Sequence, residues 1–96
     1  MSNIFANVGP TGGVVTIGGS SSQYESITIN HESTGTYWVT WTALPVVPAV
    51  ISSAQHGSDA SYLATPGYVT NSSMYIYTRD NKGNLVDEYF SFVMYF

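Results

Sequence analysis

Ninety-six residues make one domain with no room for two, and area scaling buries about 64 % of such a chain's surface on folding, enough for one modest core. Charged side chains are 8 % of the chain while apolar ones are 44 %, so the chain is not disordered, and Ser, Thr, Asn, Tyr, Gly or another subunit must cover its surface. Two cations within a net charge of −4 exclude a nucleic-acid footprint and a basic membrane-surface helix, and the absence of cysteine excludes a disulfide framework, thiolate metal sites and thiol catalysis.

The start of the chain has no basic region followed by an apolar stretch of signal length. The longest apolar run, Ala43 to Ile51, contains Pro45 and Pro48 and is too short to cross a bilayer. No membrane insertion is expected, and a place outside the cell, free or on a particle, would be reached without a signal peptide.

Helix signals are nearly absent, since no window holds an apolar stripe of helical period. Thr, Val, Ile, Tyr and Trp fall instead in short runs between Gly, Ser, Asn and Pro, which predicts strands and turns. In chain order, strands are expected at Ile4 to Val8 and Val14 to Ile17, each closed by glycines. Ser20 to Ser22 reads as a flexible link. Tyr24 to His31 alternates, with Ile27 and Ile29 on one side, and Ser33-Thr34-Gly35 turns the chain. Thr36 to Thr42 places Tyr37, Val39 and Trp41 opposite Thr36, Trp38, Thr40 and Thr42. Pro45 and Pro48 bracket a bend before Val50 to Ser53, and Gln55 to Ser61 is a polar loop. Short pieces at Tyr62 to Ala64 and Tyr68 to Thr70 flank Pro66-Gly67. Ser73 to Thr78 and Tyr89 to Phe96 are strands, separated by a turn at Asp80 to Asn84 with Gly83 available for positive φ.

The fold class is therefore all-β: a small antiparallel β-sandwich of about six to eight short strands spanning 1–96. Residues 1–23 supply Gly/Ser-rich strands and a link, and residues 24–96 the core sandwich. The expected core is Ile27, Ile29, Tyr37, Val39, Trp41, Val50, Met74, Ile76, Phe90, Phe92 and Met94. Alternation leaves Trp38, Tyr75, Tyr77 and Tyr95 on the outward side of their strands. Such rings serve a subunit interface, cover one another across neighbouring strands, or form a platform for a ligand.

Thr34-Gly35-Thr36-Tyr37-Trp38-Val39-Thr40-Trp41, Pro48-Ala49-Val50-Ile51, Val69 to Ile76, Thr78 to Asp87 and Phe90-Ser91-Phe92 follow one another in a fixed order. Together they resemble a module common at the C-termini of bacteriophage tail fibres and related particle proteins. More distantly, the strand layout is similar to that of the H-type lectins. The resemblance implies a compact sandwich that acts as a homotrimer and recognises a cell-surface glycan or receptor. Trp38 and Met74 stand where such modules tend to carry Thr and Phe, which makes the outward face of this chain unusual.

Chemistry-bearing residues are sparse. His56 with Asp59 and one of thirteen serines can be drawn as a triad, but no Gly-x-Ser-x-Gly elbow is present. His31 reads as a plain exposed histidine at a strand end. Asp80-x-Lys82-x-Asn84 places a cation where a calcium loop needs oxygen, so it reads as a turn. Adjacent Asp87 and Glu88 point to opposite faces if they lie in a strand, and read as a solvated strand entrance. No catalytic residue, metal site or cofactor is expected. The polar loop with its neighbouring ring suits a sugar, so His56, Asp59 and Tyr62 are the candidate ligand contacts, with Trp38 and Tyr77 as stacking or interface rings. The expected function is a non-catalytic receptor- or carbohydrate-binding module, lectin-like or fibre-tip-like. The alternative is a structural or assembly module, or an oligomeric host-directed toxin, with no small ligand.

Overall fold

The computed structural model describes residues 1–55 and 61–96. His56 and Asp59, with the intervening part of the polar loop, lie outside the described residues. Eight strands run in chain order: β1 Asn3–Val8, β2 Val14–Gly18, β3 Thr28–Ser33, β4 Thr36–Thr40, β5 Ala49–Ala54, β6 Leu63–Gly67, β7 Ser73–Arg79 and β8 Phe90–Tyr95. They form two antiparallel four-stranded sheets, sheet A in the order β2-β1-β8-β5 and sheet B in the order β3-β4-β7-β6.

The core lies between the inward faces. β1 contributes Ile4, Ala6 and Val8, β8 contributes Phe90, Phe92 and Met94, β4 contributes Tyr37 and Val39, and β7 contributes Met74 and Ile76. Each set occupies alternate positions, as the two-residue strand period requires. Of the expected core, Ile29 and Val50 are only half-buried, because β3 and β5 are edge strands with no neighbour on one side among the described residues, and Ile27, half-buried too, lies just before β3. Ile4, Ala6, Val8, Leu44 and Ala64 are buried beyond the expected set. β1 sits between β2 and β8, so the first strand of the chain is central rather than peripheral.

Three sequence expectations change. Ser22–Ser26 is a 3-10 helix, and β3 starts only at Thr28. Ser21 caps the helix, its Oγ accepting from Gln23 N–H at 3.2 Å, and the Ser26 hydroxyl donates to Gln23 C=O at 2.8 Å. Serine side chains bonded to nearby backbone in this way compete with a strand ladder. The serine run is also pinned, not slack: Ser20 N–H donates to Asn3 Oδ1, and Asn3 N–H to Ser20 Oγ, both at 2.9 Å. Finally, the two pieces around Pro66-Gly67 are replaced by the single strand β6, with Pro66 inside it. β6 is an edge strand, where a proline's missing N–H breaks no ladder.

The turn after β7 forms as expected. Asp80 N–H donates to Asn84 C=O at 2.9 Å, and Gly83 takes φ +84°. The Asp80 carboxylate accepts from Lys82 and Asn84 N–H at 2.8 and 3.0 Å, which lowers its pKa.

Candidate functional site

β4 and β7 are the two central strands of sheet B, and their register sets Trp38 directly opposite Tyr75. Both side chains face away from the core, since Tyr37, Val39, Met74 and Ile76 face into it. The Trp38 and Tyr75 ring centroids are 4.5 Å apart at 47°. Two residues along β7, Tyr77 follows Tyr75 at 5.8 Å and 23°. The Arg79 guanidinium lies 5.5 Å from the centre of the Tyr77 ring and ends the row. Cross-strand pairing and the two-residue period thus convert four separated letters into one continuous strip, Trp38–Tyr75–Tyr77–Arg79.

Tyr68 closes one side of the strip. Its ring meets Tyr75 edge-on at 6.1 Å, its φ is +51°, and it is 78 % exposed. A left-handed backbone at a bulky residue costs about 1–3 kcal/mol and concentrates at functional positions. Gly67, just before it, makes room for the strip: a Cβ there would stand 2.8 Å from Tyr77 Cε2.

The strip is rich in hydrogen-bonding handles. Among the described residues, the Tyr68, Tyr75 and Tyr77 hydroxyls and the Trp38 indole N–H have no hydrogen-bond partner, and Arg79 is in no ion pair. Loss of surrounding water raises the Tyr77 phenol above its ordinary pKa, the neighbouring Tyr68 and Tyr75 phenols raise it further, and Arg79 opposes them. Tyr77 therefore remains a neutral hydroxyl, able to donate and to accept at any physiological pH.

The sequence candidates distribute as follows. Trp38 and Tyr77 lie on this strip, joined through Tyr75, and all three are half-buried. Tyr62 is half-buried immediately before β6, beside Leu63, which pairs with Arg79. His56 and Asp59 lie outside the described residues. Tyr95, the fourth outward ring, stands on sheet A and is separate from the other three. Arg79 and Tyr68 were missed as site residues. Arg79 falls one residue past the strand expected at Ser73 to Thr78, and extending the alternation by that residue gives it the same face as Tyr75 and Tyr77, whereas nothing in the letters Gly67-Tyr68 signals a ring held at positive φ.

The outer face of sheet A has a different character. Gly18, Phe5, Val93 and Ile51 form one cross-strand row through all four strands, with Ile51 65 % exposed. Asn3, Tyr95 and Ala49 flank it on one side, and Asn7, Ser91 and Ser53 on the other. None of these residues is charged.

A third cluster involves His31, which is exposed as expected but is partnered and does not stand at a strand end. It lies within β3, its Nε2 is 2.8 Å from Asp87 Oδ1, and its ring stacks on Tyr37 at 5.0 Å. The same oxygen accepts Gly35 N–H at 2.7 Å. That N–H first, and then His31, hold the Asp87 carboxyl below its ordinary pKa. Asp87 and Glu88 precede β8 rather than opening a strand: Glu88 is buried, and its carboxylate accepts Tyr89 N–H at 2.9 Å. Tyr37 OH completes the corner by donating to Pro10 C=O at 2.7 Å. Through the Asp87 carboxylate the pair ties together β3, the Gly35 turn and the approach to β8. Among the described residues no group of His, Asp and Glu could hold a metal ion.

Comparison of the chain with models of known families, with curated proteins and with solved structures finds no match.

Proposed function

We propose that this chain is a non-catalytic, lectin-like module that binds a cell-surface glycan or receptor through the outer face of sheet B, and that it does so as a homotrimer on a particle or outside the cell. The observation that carries the reading is the strip Trp38–Tyr75–Tyr77, with the exposed ring of Tyr68 held beside it at the expense of backbone strain. Rings supply apolar area for the C–H face of a sugar, and their O–H and N–H groups supply partners for its hydroxyls. The ordered resemblance to fibre-tip modules supports the same reading.

Copies of the chain meet through the outer face of sheet A. The chain carries a net charge of −4, so copies repel one another, but this face bears no carboxylate among the described residues and presents the apolar row Phe5–Val93–Ile51. Light scattering on a gel-filtration column tests the assembly: about 31 kDa, three times 10.4 kDa, is expected, and about 10 kDa removes the trimer.

A specific observation favours the structural alternative: Tyr75 is packed by Trp38 on one side and Tyr77 on the other, as it would be in a strip that serves subunit contact. Acrylamide quenching separates the two readings. Trp41 is buried in the core, with its indole N–H donating to Asn71 C=O, so quenchable fluorescence reports Trp38. Strong quenching in the native assembly is expected for a ligand platform, and a fully shielded Trp38 assigns the strip to an interface.

A further inference from the structure

The chain has two cations against six carboxylates. In such a composition every arginine has an excess of possible partners, yet Arg79 is in no ion pair among the described residues. Its nearest acid in sequence, Asp80, is committed to the backbone of its own turn through Lys82 and Asn84 N–H. Glu32, the acid of the edge strand β3, has the whole of β4 between it and β7. Arg79 is instead held against the Tyr77 ring at 5.5 Å, at the end of the aromatic strip. A cation held over a ring makes no hydrogen bond to it, which leaves the guanidinium N–H groups for a ligand, and their planar fork matches a carboxylate or sulfate through two parallel hydrogen bonds.

Resting on the glycan-platform reading, we infer that the saccharide bound by this face is acidic, with its oxyanion held by the Arg79 guanidinium and its neutral rings lying along Tyr77, Tyr75 and Trp38. The neighbouring Tyr77 hydroxyl, a neutral phenol at physiological pH, donates to a ring or glycosidic oxygen. The distant carboxylates of the chain oppose this little at physiological salt, because exposed charges more than about 8 Å away are largely screened.

The test is a glycan array of neutral, carboxylated and sulfated oligosaccharides, probed with the wild-type chain, Arg79→Gln, Arg79→Lys and Trp38→Ala. Binding is expected to be confined to acidic glycans. Methyl esterification of a bound carboxylate, or Arg79→Gln, should weaken it about tenfold to a hundredfold, the range for hydrogen bonds to a charged group. Arg79→Lys keeps the charge and loses the fork, so it should fall between. Esterification alters only the ligand, so its outcome stands even if a variant fails to fold. Equal binding of neutral and acidic glycans, with Trp38→Ala abolishing both, overturns the role of Arg79 and leaves the platform standing. No binding to any glycan overturns the platform and this inference together.

Discussion

Gly35 and Gly83 both take left-handed backbone, at φ +66° and +84°, but only one of them is crowded. A Cβ at Gly83 meets nothing within 4 Å, whereas a Cβ at Gly35 would stand 2.7 Å from Thr78 C=O and 2.9 Å from Val86 N. Those are backbone atoms, and Val86 N–H donates to Thr78 C=O at 3.1 Å, so no side chain can swing aside to relieve the contact. Relief requires the turn to lift, which breaks Thr78 N–H to Gly35 C=O at 2.9 Å and Gly35 N–H to Asp87 Oδ1 at 2.7 Å. Gly83→Ala should therefore cost only the left-handed penalty, about 1 kcal/mol. Gly35→Ala adds about 1 kcal/mol for a neutral hydrogen bond and about 2 kcal/mol for one to a carboxylate, giving roughly 4 kcal/mol. For a domain of this size that is about 4–8 °C against roughly 16–32 °C in Tm. Urea unfolding followed by Trp41 fluorescence at one fixed protein concentration measures the difference, with m unchanged. Equal losses for the two variants would refute the steric argument and leave only the φ penalty at both positions.

Thr78→Val removes a fully buried hydroxyl that donates to Val86 C=O at 2.5 Å; a loss of about 1–3 kcal/mol in urea is expected, because the carbonyl is left unpaired. Asp87 and Asp80 have folded pKa values below the ordinary 3.8, so their contribution to stability is fully present above that value and is lost as pH falls through the lowered folded values. Urea midpoints measured between pH 6 and pH 2.5 should fall only below about pH 4, and Asp87→Asn should flatten that limb; a wild-type midpoint constant down to pH 2.5 contradicts the assignment. Ile51→Glu puts a charge at the β5 end of the outer row of sheet A, and scattering should report monomer with the β circular-dichroism signal retained. The same variant should lose about a hundredfold or more in binding to a glycan-coated surface, with little change toward a soluble monovalent glycan.

The parts of the fold legible in the sequence are those where alternation had one solution. In β4 and β7 a large ring or hydroxyl alternates with an aliphatic core residue, so both the strand and its inward face follow from the letters. The same regularity made Trp38 and Tyr77 visible as outward rings. β1 was visible as a strand but its central position was not, because strand order depends on which long-range pairing wins. The 3-10 helix was hidden because Ile27 and Ile29 alternate with Ser26, Thr28 and Asn30, and the serine hydroxyls that divert the backbone carry no period. The His31–Asp87 pair spans 56 positions, and no local signal joins residues so far apart. Tyr68 is illegible for a different reason: φ +51° is imposed at a residue type that resists it.

The two outer faces explain how a chain with so few charges divides its work. On sheet A the outward side chains of the central row are the exposed Phe5 and Ile51 and the half-buried Val93, with no polar atom among them. A hydroxylated ligand laid there would give up water and receive nothing, a loss of about 1–3 kcal/mol for each unpaired group, whereas another apolar sheet loses nothing comparable. On sheet B each ring of the strip carries an O–H or N–H at its edge, and a guanidinium ends the row. A protein surface that seals it must satisfy each of those groups, while a saccharide brings hydroxyls at comparable density. The sheets are packed back to back through the core, so association through sheet A leaves sheet B pointing away from the contact. In the proposed assembly each copy would contribute one outward strip, and several weak sugar contacts would act together on a surface that presents many copies of the same glycan.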